Sequence, residues 1–200
     1  MQSTVLSLTL AAAAAAAAAV APLAAQPVTY KIDSAHSSAQ FSVRHMMVSN
    51  TKGEFSKMEG MIVYDARNLA GSKVEATIDA STINTREPKR DAHLKSPDFF
   101  DVAKFPALTF KSRQFYREGS QVKVKGDLTL HGVTKEVILS LDGPTPEAKS
   151  PRGGIVIGAS ATTKINRKDF GLVYNAALET GGVLVGDEVS ITLDIEAVRQ

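Results

Sequence analysis

The sequence predicts an all-β fold of about eight or nine antiparallel strands, arranged as a barrel or a sandwich, with one short helix. Three observations predict it. Apolar and polar residues alternate with a period of two in many short runs, turn-forming residues separate these runs, and long helical periodicity is absent. Many strands of similar length joined mostly by short turns are typical of barrels and sandwiches.

The N-terminal segment predicts export. Residues 5–25 carry no charge and include nine consecutive alanines at 11–19. Alanine is only weakly hydrophobic, so the segment is less apolar than a membrane span of about 20 residues. We therefore expect a secretory signal peptide at 1–25 and one domain at 26–200. The alternatives are an uncleaved anchor and a misassigned start codon.

Composition excludes several functions. The chain has 23 Lys and Arg against 21 Asp and Glu, a net charge of +2, which is too balanced for electrostatic binding of nucleic acid. Because cysteine is absent, there is no disulfide, no thiolate metal site and no cysteine nucleophile. The fold must depend on packing and backbone pairing.

The alternation assigns an inner face to each of the clearest strands. In 39–47 this face carries Ala39, Phe41, Val43, His45 and Met47. In 155–165 it is Ile155, Ile157, Ala159, Ala161, Thr163 and Ile165. Further strands are expected at 28–33, 55–64, 73–79, 106–116, 121–130, 135–142 and 189–197, with turns at Ser49-Asn50, Asn68 to Gly71, Glu118-Gly119, Asp142 to Pro144 and Pro146 to Gly154.

One segment predicts a helix. Residues 87–96 have Pro88 near the start, good helix formers after it and Pro97 just beyond the end. Three aromatic residues follow, and we expect them to plug one end of a barrel: Phe99, Phe100 and Phe105.

The sequence carries no strong signature of an enzyme. The four histidines show no metal-ligand spacing, and no nucleophile elbow or phosphate-binding glycine loop is present. Asp33, Ser34, His36 and Ser37 are the residue types of a hydrolase triad, but crowding into one turn favours a role in satisfying backbone donors. We therefore expect no catalysis, no metal and no resident cofactor.

The small residues on the inner face of 155–165 predict a cavity. Ala159, Ala161 and Thr163 leave volume that large side chains would otherwise fill, and an eight-stranded barrel is just wide enough for one small ligand. An apolar cavity would select a long apolar molecule. The alternative is that these residues pack under the helix and leave no void.

The sequence leaves two interpretations open for one histidine and for two clusters of basic residues. His45 is either a hydrogen-bonded core histidine or a donor on the cavity wall. The basic clusters Arg86, Lys89, Arg90, Lys95 and Lys164, Arg167, Lys168 are either solvated faces or, beside a barrel mouth, groups that hold an anionic or carbonyl head group.

A collinear series of motifs from Tyr30 to Ala197 resembles the YceI-like family. It runs DSAHS (33–37), FSVRH (41–45), RDAHLKSPDFFDV (90–102), GDLTLHGVTK (126–135) and NRKDFG (166–171), and ends in the strand that begins GDEVSITLDIEA (186–197). Met46-Met47 depart from the family, in which a Leu-Gly-like pair is commoner after the histidine.

The resemblance implies a lipocalin-like antiparallel β-barrel, typically eight-stranded, around an elongated apolar pocket. Such proteins are bacterial, usually periplasmic, and bind polyisoprenoid chains such as isoprenoid quinones or prenyl phosphates, while some relatives bind fatty-acid derivatives. The partner expected here is therefore a long-chain lipid, with transient membrane contact and, as in some relatives, a homodimer. The resemblance does not identify the residues that touch the head group, so the expected ligand-binding residues come from the predicted geometry: Phe41, Val43, His45, Met47, Arg90, His93, Phe99, Ile157, Ala159, Ala161, Thr163 and Arg167.

Three functional hypotheses follow. The first is a periplasmic protein that sequesters or carries a polyisoprenoid without chemistry. The second is a packed barrel that serves as a structural or stress-response module and binds a partner protein. The third is an enzyme that modifies lipid, with His36 or His45 as general base.

Overall fold

Within residues 26–179 and 181–200, which the computed structural model describes, the chain forms twelve β-strands and one α-helix. The predicted signal peptide, 1–25, lies outside the described residues. The helix is α1 (Pro88–Lys95), and short 3₁₀ turns occupy Leu69–Gly71, Ala80–Thr82 and Arg167–Phe170. The strands are β1 (Val28–Ile32), β2 (Ser38–His45), β3 (Ser49–Phe55), β4 (Met58–Tyr64), β5 (Lys73–Asp79), β6 (Ile83–Asn84), β7 (Ala107–Glu118), β8 (Gln121–Leu130), β9 (Val133–Asp142), β10 (Ala148–Lys149), β11 (Ile155–Asn166) and β12 (Val185–Arg199).

Eight strands close into an antiparallel barrel, which decides between the two predicted architectures and agrees with what the family resemblance implied. Their order around the wall is β1-β4-β5-β7-β8-β9-β11-β12, and β12 pairs with β1 to complete the circle. Closure leaves no free edge in this ring, which removes the hazard of unpaired strand edges.

Three strands extend the wall beyond this ring. β2 continues β1 along the same edge of β12: Ala197 to Arg199 pair with β1, and Val185 to Asp194 pair with β2. β3 pairs with β2, and β6 pairs with β3. This extended end of the barrel carries α1 and the loop 171–184, of which 171–179 and 181–184 are described, whereas the opposite end carries the turns at 119–120 and 143–154.

The helix lies where the sequence placed it, one residue shorter at each end. Pro88 occupies its first turn, and the Glu87 side chain accepts a hydrogen bond from the backbone N–H of Lys89. Because proline fixes φ and lacks an N–H, it fits the first turn, whose N–H groups have no partner within the helix. The helix is exposed on its outer side and points Leu94 into the barrel.

The first hairpin corrects two sequence predictions. The turn predicted at Ser49-Asn50 is wrong, because both residues are in β3, opposite His45 and Arg44. The turn instead spans Met46 to Val48, between the paired residues His45 and Ser49. Met46 and Met47 have φ of 48° and 61°, and the N–H of Val48 donates to the carbonyl of His45. A β-turn whose two central residues both have positive φ matches the right-handed twist of the flanking strands. Met47 is therefore in the turn, and its predicted place on the inner face is wrong.

The run 55–64, predicted as one strand, is also divided. β3 ends at Phe55 and β4 begins at Met58, where the wall bends between the ring and its extension. The Ser34 side chain, from the matching bend between β1 and β2, accepts a hydrogen bond from the backbone N–H of Met58.

A glycine lets one aromatic side chain lie flat against the wall. The ring of Phe41 crosses Gly53, its cross-strand partner, so closely that a Cβ on Gly53 would lie 2.4 Å from the ring and 2.7 Å from the Thr85 methyl group. From there the aromatic contacts continue inward, with Phe41 and Phe55 at 5.9 Å and Phe55 and Phe100 at 5.6 Å between ring centroids.

We predict that Gly53→Ala lowers the free energy of unfolding by about 1–3 kcal/mol, because the added methyl group must displace a packed ring. The matched control is Gly158→Ala, also within a strand, where a Cβ would have no neighbour closer than 3.6 Å. Urea unfolding followed by far-UV circular dichroism measures both. Equal stability of the two variants would contradict the packing described for Phe41.

Candidate functional site

An elongated apolar cavity runs through the barrel from one end to the other. Its volume is about 260 Å³, and the surface that faces it is apolar. Residues from every strand of the closed ring line it. The aliphatic and small lining residues include Ile32, Ala39, Val43, Ile62, Val74, Ala76, Ile78, Leu108, Val124, Leu128, Leu139, Leu141, Ile157, Ala159, Ala161, Thr163, Ile165, Val189, Ile191, Leu193 and Ile195.

The inner face of β11 explains why the interior is not filled. Ala159, Ala161 and Thr163 all line the cavity, as the alternation predicted. Ala161 lies opposite Leu141 on one neighbouring strand and Leu193 on the other. Two methyl groups and one threonine thus occupy the middle of the wall, where larger side chains would meet those of the facing wall.

Aromatic residues narrow the extended end. Phe99 and Phe100, which follow α1, both line the cavity, so two of the three predicted plug residues are in place. The prediction for Phe105 is wrong: its ring lies 4.6 Å from that of His131 and close to Gly132, outside the cavity lining. His131 and Gly132 form the β8–β9 turn with positive φ, which presents a flat backbone surface to that ring.

A buried arginine fastens the loop that covers this end. The Arg167 side chain is only 3% exposed. Its Nε–H donates to the Gly186 carbonyl at 2.8 Å, and its two terminal nitrogens donate to the carbonyls of Leu172, Tyr174 and Val185. Burial lowers the pKa of Arg167. The guanidinium is thus committed to the backbone of residues 172–186.

An aromatic group joins α1 to the same loop. The rings of His93, Phe99 and Tyr174 lie within 4.9–5.1 Å of one another, and two of the three contacts are edge-to-face. The His93 Nε2 is 2.8 Å from the Asp98 carboxylate. These contacts place Phe99 on the cavity and leave His93 and Tyr174 behind it.

The opposite end is closed by the 143–154 segment. Pro144 lines the cavity there. The Tyr30 hydroxyl donates to the Glu147 carboxylate at 2.6 Å, and Arg199 lies 3.3 Å from the same oxygen. Burial, with the hydrogen bond to Glu147, raises the pKa of Tyr30 to about 12. A neutral Tyr30 therefore holds the segment at ordinary pH.

The structure divides the predicted ligand-binding residues into two sets. Eight line the cavity: Phe41, Val43, Phe99, Ile157, Ala159, Ala161, Thr163 and Arg167. His45, Met47, Arg90 and His93 are not part of the lining. Arg90 donates instead to the hydroxyl and carbonyl of Thr85, and Arg167 reaches the cavity without a free guanidinium. Head-group binding by these two arginines stays a prediction.

The Asp33–Ser37 segment has the structural role expected of it. The Asp33 carboxylate accepts from the N–H of Ala35, and the Ser37 hydroxyl accepts from the N–H of Glu196. A hydrogen bond from His36 lowers the pKa of Asp33. Asp33, His36 and Glu196 bring three potential metal-ligand atoms within 4.8 Å of one another, on the outside of the barrel.

Sequence reasoning missed much of the cavity wall on β4, β5 and β7. Ile62, Val74, Ala76, Ile78, Leu108 and Phe110 line it. The alternation within 73–79 and 106–116 was a usable signal, because residues two apart in a strand share a face. Phe110 also crosses Gly126, where a Cβ would lie 2.5 Å from the ring.

Comparison with known proteins agrees with this architecture. The model of the YceI-like domain family matches residues 30–197. The chain belongs to the YceI-like family. A UPF0312 protein of Staphylococcus aureus strain MSSA476 is 38% identical over 167 residues, which are 84% of this chain and 95% of the relative.

Solved structures share the fold. The YceI protein of Campylobacter jejuni is 29% identical, with a TM-score of 0.64, over 78% of this chain and 88% of that one. BcnA of Burkholderia cenocepacia is 23% identical, with a TM-score of 0.71, over 84% and 99%. A domain from Saccharophagus degradans, described as polyisoprenoid-binding and implicated in plant cell wall breakdown, is 16% identical, with a TM-score of 0.63, over 86% and 99%.

We predict that Arg167→Leu lowers the free energy of unfolding by about 3 kcal/mol or more, because several buried carbonyls lose their donor at once. The neighbouring Lys168→Leu removes only an exposed ion pair with Asp187 and should cost less than about 1 kcal/mol. Chemical unfolding of both variants gives the comparison. A small loss in Arg167→Leu would contradict the anchoring role.

Proposed function

We propose that this member of the YceI-like family binds a long apolar lipid in its barrel and that the lipid has a polyisoprenoid chain. In this proposal the protein sequesters or carries the lipid and catalyses no reaction. The apolar cavity along the barrel is the observation that supports this most strongly. Its surface offers a small polar ligand no hydrogen-bonding group, whereas each methylene group of a lipid chain contributes about 0.8 kcal/mol on burial.

The size of the cavity favours a thin chain over a bulky ligand. Its volume of about 260 Å³ is just below the roughly 300–1,000 Å³ of pockets that enclose drug-sized molecules. A narrow space that extends between the two ends of a barrel suits a linear hydrocarbon with small branches. The description of the Saccharophagus degradans domain as polyisoprenoid-binding agrees with this choice of ligand.

The site of action that we propose is the periplasm. The uncharged segment 5–25, with its run of alanines, is the reason. In the described part of the chain, no helix is both long and apolar enough to cross a bilayer. We propose that the protein meets its lipid by transient contact with a membrane.

The other two hypotheses have less support. A packed barrel requires that the inner face of β11 be covered, yet Ala159, Ala161 and Thr163 border open volume. A general base must reach the reactive atom of its substrate, and neither His36 nor His45 lines the cavity. We therefore propose a binding function without catalysis.

Native mass spectrometry of the protein isolated from its own cells tests the proposal. We expect a stoichiometric adduct whose extracted mass corresponds to an isoprenoid quinone or a prenyl phosphate, and the same spectra report the oligomeric state. A fatty-acid adduct would overturn the isoprenoid assignment. An apo mass that does not change on addition of geranylgeraniol would overturn the binding function itself.

We predict that Ala161→Phe reduces uptake of geranylgeraniol at least about tenfold, because the new ring fills the middle of the cavity. Ala159→Leu, with a smaller addition on the same face, serves as a second variant in case the first fails to fold. Thr162→Phe is the matched control, since Thr162 is the exposed neighbour on the outer face of β11. Equal uptake by the Ala161→Phe, Ala159→Leu and Thr162→Phe proteins would contradict the cavity as the binding site.

A further inference from the structure

Exposed apolar side chains gather at the extended end of the barrel. Of the seven large hydrophobic residues most exposed in the described chain, five lie in the β2–β3 turn or the loop 171–184; Met61 and Ile138, on the outer wall, are the other two. We call these five the apolar rim: Met46, Met47, Val48, Val173 and Val183. Val48 and Val173 are 76% and 64% exposed.

The two segments of the apolar rim form one surface. The N–H of Met46 donates to the carbonyl of Leu184 at 2.8 Å, and Gly182 packs close to the Met47 side chain. A β-bridge between Ala177 and Val183 folds the loop back on itself. The turn and the loop therefore present their apolar side chains together, beside the end that α1 and Phe99 narrow.

The methionine turn is not explained by folding. A β-turn with positive φ at both central residues favours Asn-Gly there, because those residues adopt this conformation at least cost. Here both positions carry methionine, and the two side chains are 44% and 51% exposed. Met46 and Met47 therefore serve neither the turn nor the core. Flexible, polarizable thioethers are common on surfaces that bind other molecules.

The two loop tips that form the apolar rim carry few negative charges themselves. Residues 46–51 have no charged side chain, and residues 171–186 have only Glu179. Asp187 and Glu188, which follow the loop, are held in ion pairs with Lys168 and Lys164. Two cations on the strands below the turn, Arg44 and Lys52, make no ion pair with any described residue, and Arg44 also donates to the Met47 carbonyl. An apolar tip with basic residues around it is complementary to a bilayer that contains anionic lipids.

We infer that the apolar rim docks this end of the barrel on the surface of a bilayer that contains anionic phospholipids. The side chains of the two loop tips insert among the lipids, and the cations contact the head groups. A protein partner or a second copy fits less well. A specific protein interface uses about 20–30 residues a side, whereas the apolar rim consists of five residues. This inference rests on the proposed function in one respect only, namely that a lipid is the molecule that the protein exchanges with the membrane.

Vesicle co-sedimentation tests the docking surface. We compare vesicles of phosphatidylcholine with vesicles of equal parts phosphatidylcholine and phosphatidylglycerol, and use protein with the same N-terminus throughout. The decisive variant is M46N/M47G, which gives the turn its favoured residues and so preserves the fold while removing the apolar side chains. The matched control is Met61→Ser, which removes an exposed methionine from the outer wall.

We expect wild type and Met61→Ser to bind the anionic vesicles, and M46N/M47G to bind them at least about tenfold more weakly, since each methylene group removed from lipid is worth about fourfold. Added salt should weaken binding as well. Unchanged binding by M46N/M47G, or equal binding to neutral vesicles, would overturn the inference. A dimer that M46N/M47G abolishes, without vesicle binding, would overturn it and assign the rim to a second copy.

Uptake of geranylgeraniol from solution separates this inference from the proposed function. We expect M46N/M47G to take it up as wild type does, because neither methionine lines the cavity. Loss of vesicle binding with normal uptake supports the docking surface. Failure of uptake in every protein, wild type included, would overturn the proposed function and leave the docking result standing.

Discussion

The pairing of β12 with three other strands is the constraint on which the rest of the structure depends. On one edge, β12 pairs with β11 through eleven consecutive residue pairs, from Val156–Val198 to Asn166–Glu188. On the other edge it pairs with β1 and then β2. Closure of the barrel therefore depends on this one long strand. It also sets the register that turns Ala159 and Ala161 inward beside Ile195 and Leu193, and so determines where the cavity lies.

The cavity has a cost that a ligand can offset. The small inner side chains of β11 make fewer contacts across the interior than those of a close-packed core, and lost packing of this kind destabilises a domain. The chain compensates at both ends, with the Arg167 hydrogen bonds under one loop and the Tyr30–Glu147–Arg199 contacts at the other. A lipid chain in the barrel would recover packing that no side chain supplies. The apolar rim lies at the end that Arg167 fastens, so lipid binding and membrane docking would use the same loop.

Local pattern predicted the parts of this structure that depend on strand alternation. The inner face of β11 and the bounds of α1, to within one residue, followed from the residue pattern alone, whereas the pattern left barrel and sandwich open and the family resemblance implied the eight-stranded barrel. The Met46–Met47 turn did not, because Ser49-Asn50 has the stronger turn propensity, and the hairpin register, fixed across β2 and β3, overrode it. The role of Arg167 was equally hidden, since it depends on carbonyls up to 19 residues away that only the folded loop brings together. The sequence predicted that Arg167 lies near the mouth of the barrel. It did not reveal the backbone carbonyls that accept hydrogen bonds from its guanidinium.

The central claim is that a lipid chain lies inside the barrel, against the small residues of β11. Nuclear Overhauser effects between methyl-labelled protein and bound geranylgeraniol measure this directly. We predict contacts from the methyl groups of Ala159, Ala161 and Ile191 to the isoprenoid chain, and none from Ile138 on the outer wall. Contacts confined to Ile138 or to the apolar rim, with the inner methyl groups silent, would contradict the account.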